Sequence, residues 1–457
     1  MINRSTIVLA TCLTFASVAR AQDPTTSGDR DAAPSSTADT EKKPEMPSLF
    51  ALRHYTGGDL ATRSHLLGDW DGKRNELAAQ GITFDIDVTQ IFQLNARGGK
   101  STNNGFRYSG SVDYTLKLDT ARMGLWPAGE LALKGETQFG QSINSKAGSL
   151  MSVNSDALFP EADEHTTTLT DVVFTQFFSE HFGIVFGKVD FRGGDSNVFA
   201  HSETTQFMNL SLLANPVLLP LAPYSALTAA VIIRPTDTLV TSFTMLDSFG
   251  SASVSGFDTA FHSPEGTAFI NEWALTVKPF GLEGHQRFGI VYSTRDFTLL
   301  SQDARIGGPM GLLRLLASGG IDLDTRPDDF ALYYNFDQYL YTEEDDPTQG
   351  IGLFGRVGWS NGEANPFEGF YSIGIGGKGI FQDRDNDTFG LGYYYLDMSD
   401  DLAAFFGMDT EQGIELYYNI EVTPWFHVTP DVQYIIDPGG GAYDDALAIG
   451  IRTQLSF

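Results

Sequence analysis

The 457-residue chain carries 29 cationic against 58 acidic side chains, with 48 glycines and 34 phenylalanines. An acid excess of this size disfavours nucleic acid as a partner, and no stretch approaches the roughly 18 consecutive apolar residues of a transmembrane helix. A secreted β-protein or a membrane β-barrel is left.

Residues 1–21 fit a secretion signal: Arg4 supplies the positive start, Ile7 to Ala19 the apolar core, and Ala19-Arg20-Ala21 a small-x-small cleavage site. Cleavage would remove the sole cysteine, Cys12, and leave a mature chain without thiols. Residues 22–63, rich in Pro, Ser, Thr, Asp and Ala and without apolar periodicity, fit a flexible periplasmic leader. Residues 64–81 fit a short helical segment, capped by Asp71, propagated from Lys73 to Gln80 and stopped by Gly81 at the C′ position.

After Gly81 the period becomes two. Sixteen strand-like runs follow, beginning Ile82 to Asn95, Phe106 to Asp119 and Gly129 to Gly140, and ending Glu411 to Val422, Trp425 to Ile436 and Ala446 to Phe457. Links after even-numbered runs are mostly brief, as at Ser179 to His181 and Thr423 to Pro424. Those after odd-numbered runs are mostly long, as at Gln141 to Thr167 and Arg192 to Ser225. This sorting predicts an all-β fold over 82–457: a transmembrane antiparallel β-barrel of 16 strands with both termini on the short-turn, periplasmic side.

The faces agree. Within Gln286 to Asp296, Phe288, Ile290 and Tyr292 share one face while Arg287, Ser293 and Arg295 share the other with Val291. Sixteen strands enclose too wide a lumen for their own side chains to fill, so the polar face is expected to line water and the apolar face to meet lipid. In Leu447 to Phe457, Ile449, Ile451 and Leu455 should face lipid, and Arg452 and Gln454 the lumen. A terminal aromatic such as Phe457 is, in barrels of this class, a feature met by the outer-membrane assembly machinery.

At the level of motifs the chain resembles the carbohydrate-selective porins of the OprB family. The residues that carry the likeness are Gly68-Asp69-Trp70-Asp71-Gly72 with Arg74, Leu77 and Gly81, then Gly187-Lys188 with Asp190, and Gly377-Lys378-Gly379-Ile380-Phe381 with Arg384, Asp385 and Asp387. Gly390-Leu391-Gly392, Pro430-Asp431, Gln433-Tyr434, Pro438-Gly439-Gly440 and Gly450 with Arg452 complete the set. The resemblance runs from about Leu66 to Phe457, with Asp71 departing from the family's usual glycine. It implies an outer-membrane barrel that admits sugars by passive diffusion.

Other motifs have simpler readings. Gly374, Gly376 and Gly379 fit G-x-G-x-x-G, but no helix follows, and glycine in a strand more simply thins the wall or permits a bend. Asp383, Asp385 and Asp387 mimic a calcium loop, yet Thr388 and Tyr394 stand where glycine and glutamate are needed. No cofactor or metal is expected. With no H-E-x-x-H, no G-x-S-x-G and no cysteine nucleophile, neither is catalysis.

Candidates for the solute path are the lumen-projected Arg107, Asp113, Lys117, Lys134, Glu136, Lys278, Arg287, Arg295, Arg356, Lys378, Glu415, Glu421, Asp431 and Arg452, with Tyr417 as a stacking platform. Both signs are present, which suits a neutral polyol: charged groups replace its hydration without a net barrier. The constriction is expected from long loops folding inward, and Arg192 and Asp195, flanking Gly193-Gly194, are candidates for it. A non-selective porin with the same barrel stays open as an alternative, and less so a barrel enzyme or adhesin.

Overall fold

A computed structural model of the chain describes residues 48–158, 166–191, 195–251, 266–301 and 324–457. The expected signal at 1–21, most of the expected leader and Arg192 lie outside the described residues. The first strands are β1 (Ile82–Arg97), β2 (Phe106–Asp119), β3 (Gly129–Gly140), β4 (Thr167–Ser179), β5 (Phe182–Asp190) and β6 (Ser225–Ile233). Next come β7 (Leu239–Asp247), β8 (Thr267–Val277), β9 (Gly284–Ser293), β10 (Phe297–Thr298), β11 (Thr325–Arg326) and β12 (Asp329–Thr342). The last six are β13 (Gly350–Ser360), β14 (Phe367–Lys378), β15 (Thr388–Met398), β16 (Thr410–Thr423), β17 (Phe426–Ile436) and β18 (Ala446–Ser456).

All but β10 and β11 join in one closed antiparallel barrel, and those two pair with each other. The sixteen expected runs are therefore all present, with small shifts at their ends. Closure pairs β1 with β18, Asp87 opposite Ser456 and Gln93 opposite Gly450. Tight links at 180–181, 234–238 and 424–425 lie at one end of the barrel, and the chain after β3, β5, β7 and β9 leaves from the other.

Period-two alternation decides what each strand buries. On β9, Phe288 is 52% exposed on the outer surface while Arg287, Val291 and Ser293 are buried inward. On β18, Ile449 and Ile451 are exposed and Arg452 and Gln454 buried. The outer face thus offers apolar surface to lipid, where a charge at mid-depth would cost about 2–4 kcal/mol.

The inner face departs from expectation. It does not simply line water, because two of the long segments turn back into the lumen. Phe199, Phe207, Leu212 and Val217 of one, with Met151 of the other, form a buried apolar cluster with Phe354, Tyr394 and Tyr417 of the wall. Hydrophobic burial holds this insert inside the barrel, where the width that side chains alone leave empty is filled by folded chain.

At the short-turn end, the chain from Ser48 is already laid on the rim: Phe50 is buried with Ala128 and Phe177, and Arg122 donates to the Phe50 carbonyl at 2.9 Å. The helix that follows spans Lys73–Ala79. Its N-cap is Gly72 rather than Asp71, because Trp70 and Asp71 both take left-handed φ values of 54° and carry the chain past the capping geometry. Gly81, at φ +87°, turns into β1; a Cβ there would meet the Asp119 carbonyl oxygen at 2.6 Å.

Candidate functional site

The inserted segment 195–224 is organised by asparagines. Asn209 caps the turn Leu210–Leu213 by accepting from the Ser211 N–H, and Asn215 caps Pro216–Leu218 by accepting from the Val217 N–H. Asn197 donates to Asn335 and to the Phe336 carbonyl at 2.8 and 2.9 Å, and Asn215 donates to the Val357 carbonyl at 3.0 Å. These bonds tie the insert to β12 and β13.

Its apolar side chains enter sockets whose floor is main chain. A Cβ on Gly376 would stand 2.8 Å from Phe199, one on Gly390 2.6 Å from Phe207, one on Gly392 2.8 Å from Leu212 and one on Gly358 2.6 Å from Val217. Inward-facing glycines on β13 to β15 therefore do thin the wall, and the space they leave is occupied.

Charged wall residues grip the same segment. Arg356 donates to both carboxylate oxygens of Asp195 at 2.7 Å, to the Leu212 carbonyl at 2.8 Å and to the Ala200 carbonyl. Arg452 donates to the Glu203 and Gln206 carbonyls, each at 2.7 Å. Arg287 donates to Asp337 and to the Ser196 carbonyl, both at 2.8 Å. With the sign reversed, Glu415 accepts from the Met208 and Asn209 N–H groups.

A second insert, within 141–158, covers the neighbouring wall. Glu411 accepts from the Leu150 N–H at 2.7 Å and from the Gly439 N–H at 2.9 Å. Gln433 donates to the Val153 carbonyl at 2.8 Å, and the Ser111 hydroxyl donates to Asp156 at 2.8 Å. Ile143, Ala147 and Val153 pack on Ile435, Ala446 and Ala448. The described parts of both long segments, 141–158 and 195–224, therefore fold inward.

This changes the part several expected path residues play. Arg356, Arg452, Glu415, Tyr417 and Asp431 are each at most 1% exposed, beneath the inserts, and Arg287 is 3%. They hold the inserted segment 195–224, because a covering layer that alternation does not encode lies over them. Tyr417 meets Phe207 edge-on at 4.8 Å, so its ring is not open for stacking on a sugar. Asp195 is bound into the same grip, and Arg295 donates to the Pro220 carbonyl and lies over the Phe297 ring at 4.5 Å.

Others stand at the ends. Arg107 donates to the Phe106 carbonyl at 2.8 Å beside the 98–105 link, and Lys378 ends β14 on the short-turn side. Lys278 pairs with Glu283 at 3.2 Å in a tight link.

Of the remaining candidates on β3, Lys134 stays partly exposed while Glu136 is buried at 2% beside the second insert. Lys134 lies 3.3 Å from Asp113 and 4.0 Å from Asp190; the Lys134 and Asp113 side chains keep 23% and 15% of their surface exposed. Glu136 accepts from Gln138 at 2.6 Å. Asp156 of the second insert and Glu203 of the first come close enough to these groups for repulsion from Glu203, Glu136 and Asp113, after burial, to push the Asp156 carboxyl well above the ordinary range. Asp156 and Glu203 were missed from the sequence, since neither lies in a strand; the inward glycines of β13 to β15 were the available signal that something docks opposite them.

A family model described as carbohydrate-selective porin, OprB family, matches residues 103–457. Porin B of Pseudomonas aeruginosa is 25% identical over 430 residues, covering 86% of this chain and 91% of that protein. The high-pH structure of Pseudomonas putida OprB superposes with a TM-score of 0.75 at 24% identity, covering 88% of this chain and all of that one. The low-pH structure of Pseudomonas putida OprB gives 0.53 at 18% identity, over 87% and 99%.

Proposed function

The chain belongs to the OprB family of carbohydrate-selective porins, and we propose that its sugars, mono- or oligosaccharides, pass along the partly exposed wall at Asp113 and Lys134, with Glu203 of the insert near it and the buried carboxylates of Glu136 and Asp156 behind. The protein is an outer-membrane channel for carbohydrate, a porin rather than an enzyme. Transport is facilitated diffusion down a gradient.

The observation that carries the reading is the partly exposed Lys134–Asp113 pair opposite carboxylates. Ammonium donors and carboxylate acceptors together serve a hydroxyl, which both donates and accepts. An excess of carboxylates raises the barrier to anions of the same size, while a neutral solute meets donors and acceptors it can exchange for water. Weak binding at several positions keeps the solute moving. Contact with the outer-membrane assembly machinery through β18 and Phe457 rests on the barrel class.

The test is single-channel recording with sugars as blockers, alongside liposome swelling with sugars, amino acids and organic anions of matched size. Concentration-dependent block by a sugar, weakened in Lys134→Ala and Asp113→Asn, supports the path. Equal entry rates for all solutes would assign a non-selective pore instead.

A further inference from the structure

The family-like stretch from Gly68 to Gly81 takes no part in the lumen, and its contacts give it a different task. Every pair of neighbouring barrel strands except one is consecutive among the barrel strands, β9 and β12 having only the separate β10–β11 pair between them. The exception is the seam, β1 against β18. A tight hairpin's register is fixed by its turn, and even a long link tethers the two strands it joins; the seam has neither. Alternation of faces forbids a slip by one residue, which would send Arg452 into lipid and Ile451 into the lumen. It does not forbid a slip by two, which keeps every side chain on its face.

The N-terminal segment spans this seam at the short-turn end. Arg74, 3% exposed, donates to the Phe84 carbonyl at 2.7 Å and to Asp85 at 2.9 Å on β1, and to the main-chain oxygen of Phe457, just past β18, at 3.2 Å. The Leu66 N–H donates to the Ser456 carbonyl at 2.7 Å. The guanidinium is held in place by the Tyr55 ring at 3.9 Å, and Tyr55 is itself clipped by Asn75, which accepts from its N–H and donates to its carbonyl, both at 2.8 Å. From Arg74 the chain continues through Gly81 directly into β1.

We propose that residues 53–81 are the turn the seam otherwise lacks: a register clasp, continuous with β1, in which Arg74 and Leu66 fix where β18 ends. The clasp selects one pairing among those the pleat would allow, and this assigns a role to the Gly68-Asp69-Trp70-Asp71-Gly72 and Arg74 motif.

The mature sequence past Cys12 is free of cysteine, so disulfides can report register. Thr89 and Gln454 are directly opposed across the seam, at a separation suited to cross-linking. In a chain carrying Thr89→Cys and Gln454→Cys, oxidation should give the bond; with Thr89→Cys and Ser456→Cys, which would face each other only after a two-residue slip, it should not. Adding Arg74→Ala should lower the ratio of native to slipped bond about tenfold, the factor expected for one lost charge-assisted hydrogen bond. Leu66→Pro removes the donor to Ser456 while keeping every charge and carries the same expectation if Arg74→Ala does not assemble. Fewer barrels but native register only, in both variants, would make the segment a mere stabiliser and overturn the clasp, as would unchanged yield of the native bond.

Discussion

Two stretches of the same inner wall use the same kinds of residue for opposite purposes. On β13, β16 and β18, Arg356, Glu415 and Arg452 are sealed and spend their hydrogen bonds on the insert, on its main chain and, for Arg356, on the Asp195 carboxylate as well. On β2 and β3, Asp113 and Lys134 stay partly exposed and pair with each other. Pleat and polarity are alike in both. The difference is what lies on top, so a charge's position in a strand fixes its direction but not its job.

The contrast can be broken most severely at Arg356. Replacing it with alanine leaves Asp195 without its bidentate partner and two insert carbonyls without a donor, a loss of about 3 kcal/mol. Segment 195–224 should loosen, raising single-channel conductance and protease access and abolishing sugar block; a channel of unchanged conductance would show that the insert is held by other means. Next is Gly390→Ala, expected to cost about 1–3 kcal/mol by overpacking, because Phe207 and Tyr417 are both sealed and neither ring can swing away. Phe207→Leu should restore part of the loss in the double variant, and strict additivity in thermal unfolding would argue against the socket.

The second insert offers a smaller test through pH. Asp156 faces Glu203, Glu136 and Asp113, with Arg452 as the nearby cation, and its carboxyl is raised by burial and then by those acids. A carboxyl raised on docking holds its proton more firmly docked than released. Docking is therefore undiminished at low pH and weakens as pH climbs from the ordinary carboxylate range toward the raised value. Channel noise should rise with pH over that window in the native chain and stay flat in Asp156→Asn, which keeps an acceptor for Ser111. Noise that rises as pH falls would reverse the sign and sink the account. Smallest of all in stability is Lys134→Ala, within about 1 kcal/mol for a partly exposed pair. Its effect belongs in transport, a severalfold weaker sugar block, and a large drop in unfolding temperature would move Lys134 to the gripping class.

Much of the barrel was legible because a half-buried strand writes itself as period two: β9 and β18 each place apolar and polar residues on the faces the alternation predicts. Loop sorting gave the polarity of the ends for a similar reason, since turn length is visible in sequence. The site was less legible. Arg452 does face inward as expected, but nothing in Leu447 to Phe457 records that Glu203 and Gln206 will arrive above it, because the inserts have no period and their contacts are with distant main chain. The Lys73–Ala79 helix starts where expected, but its cap was misplaced onto Asp71 by a comparable blindness: residue type suggests a cap, and the left-handed turn at Trp70 and Asp71 removes it.

The glycine sockets carry a consequence for how such a pore can be altered. Because their floors are backbone, the barrel is a fixed housing and the insert a removable bushing. Phe199, Phe207 and Leu212 are sealed in the sockets and only seat the insert, so bore and lining can be retuned at the insert residues that stay exposed while every strand keeps its partner, which separates the problem of making a channel from the problem of choosing what it passes.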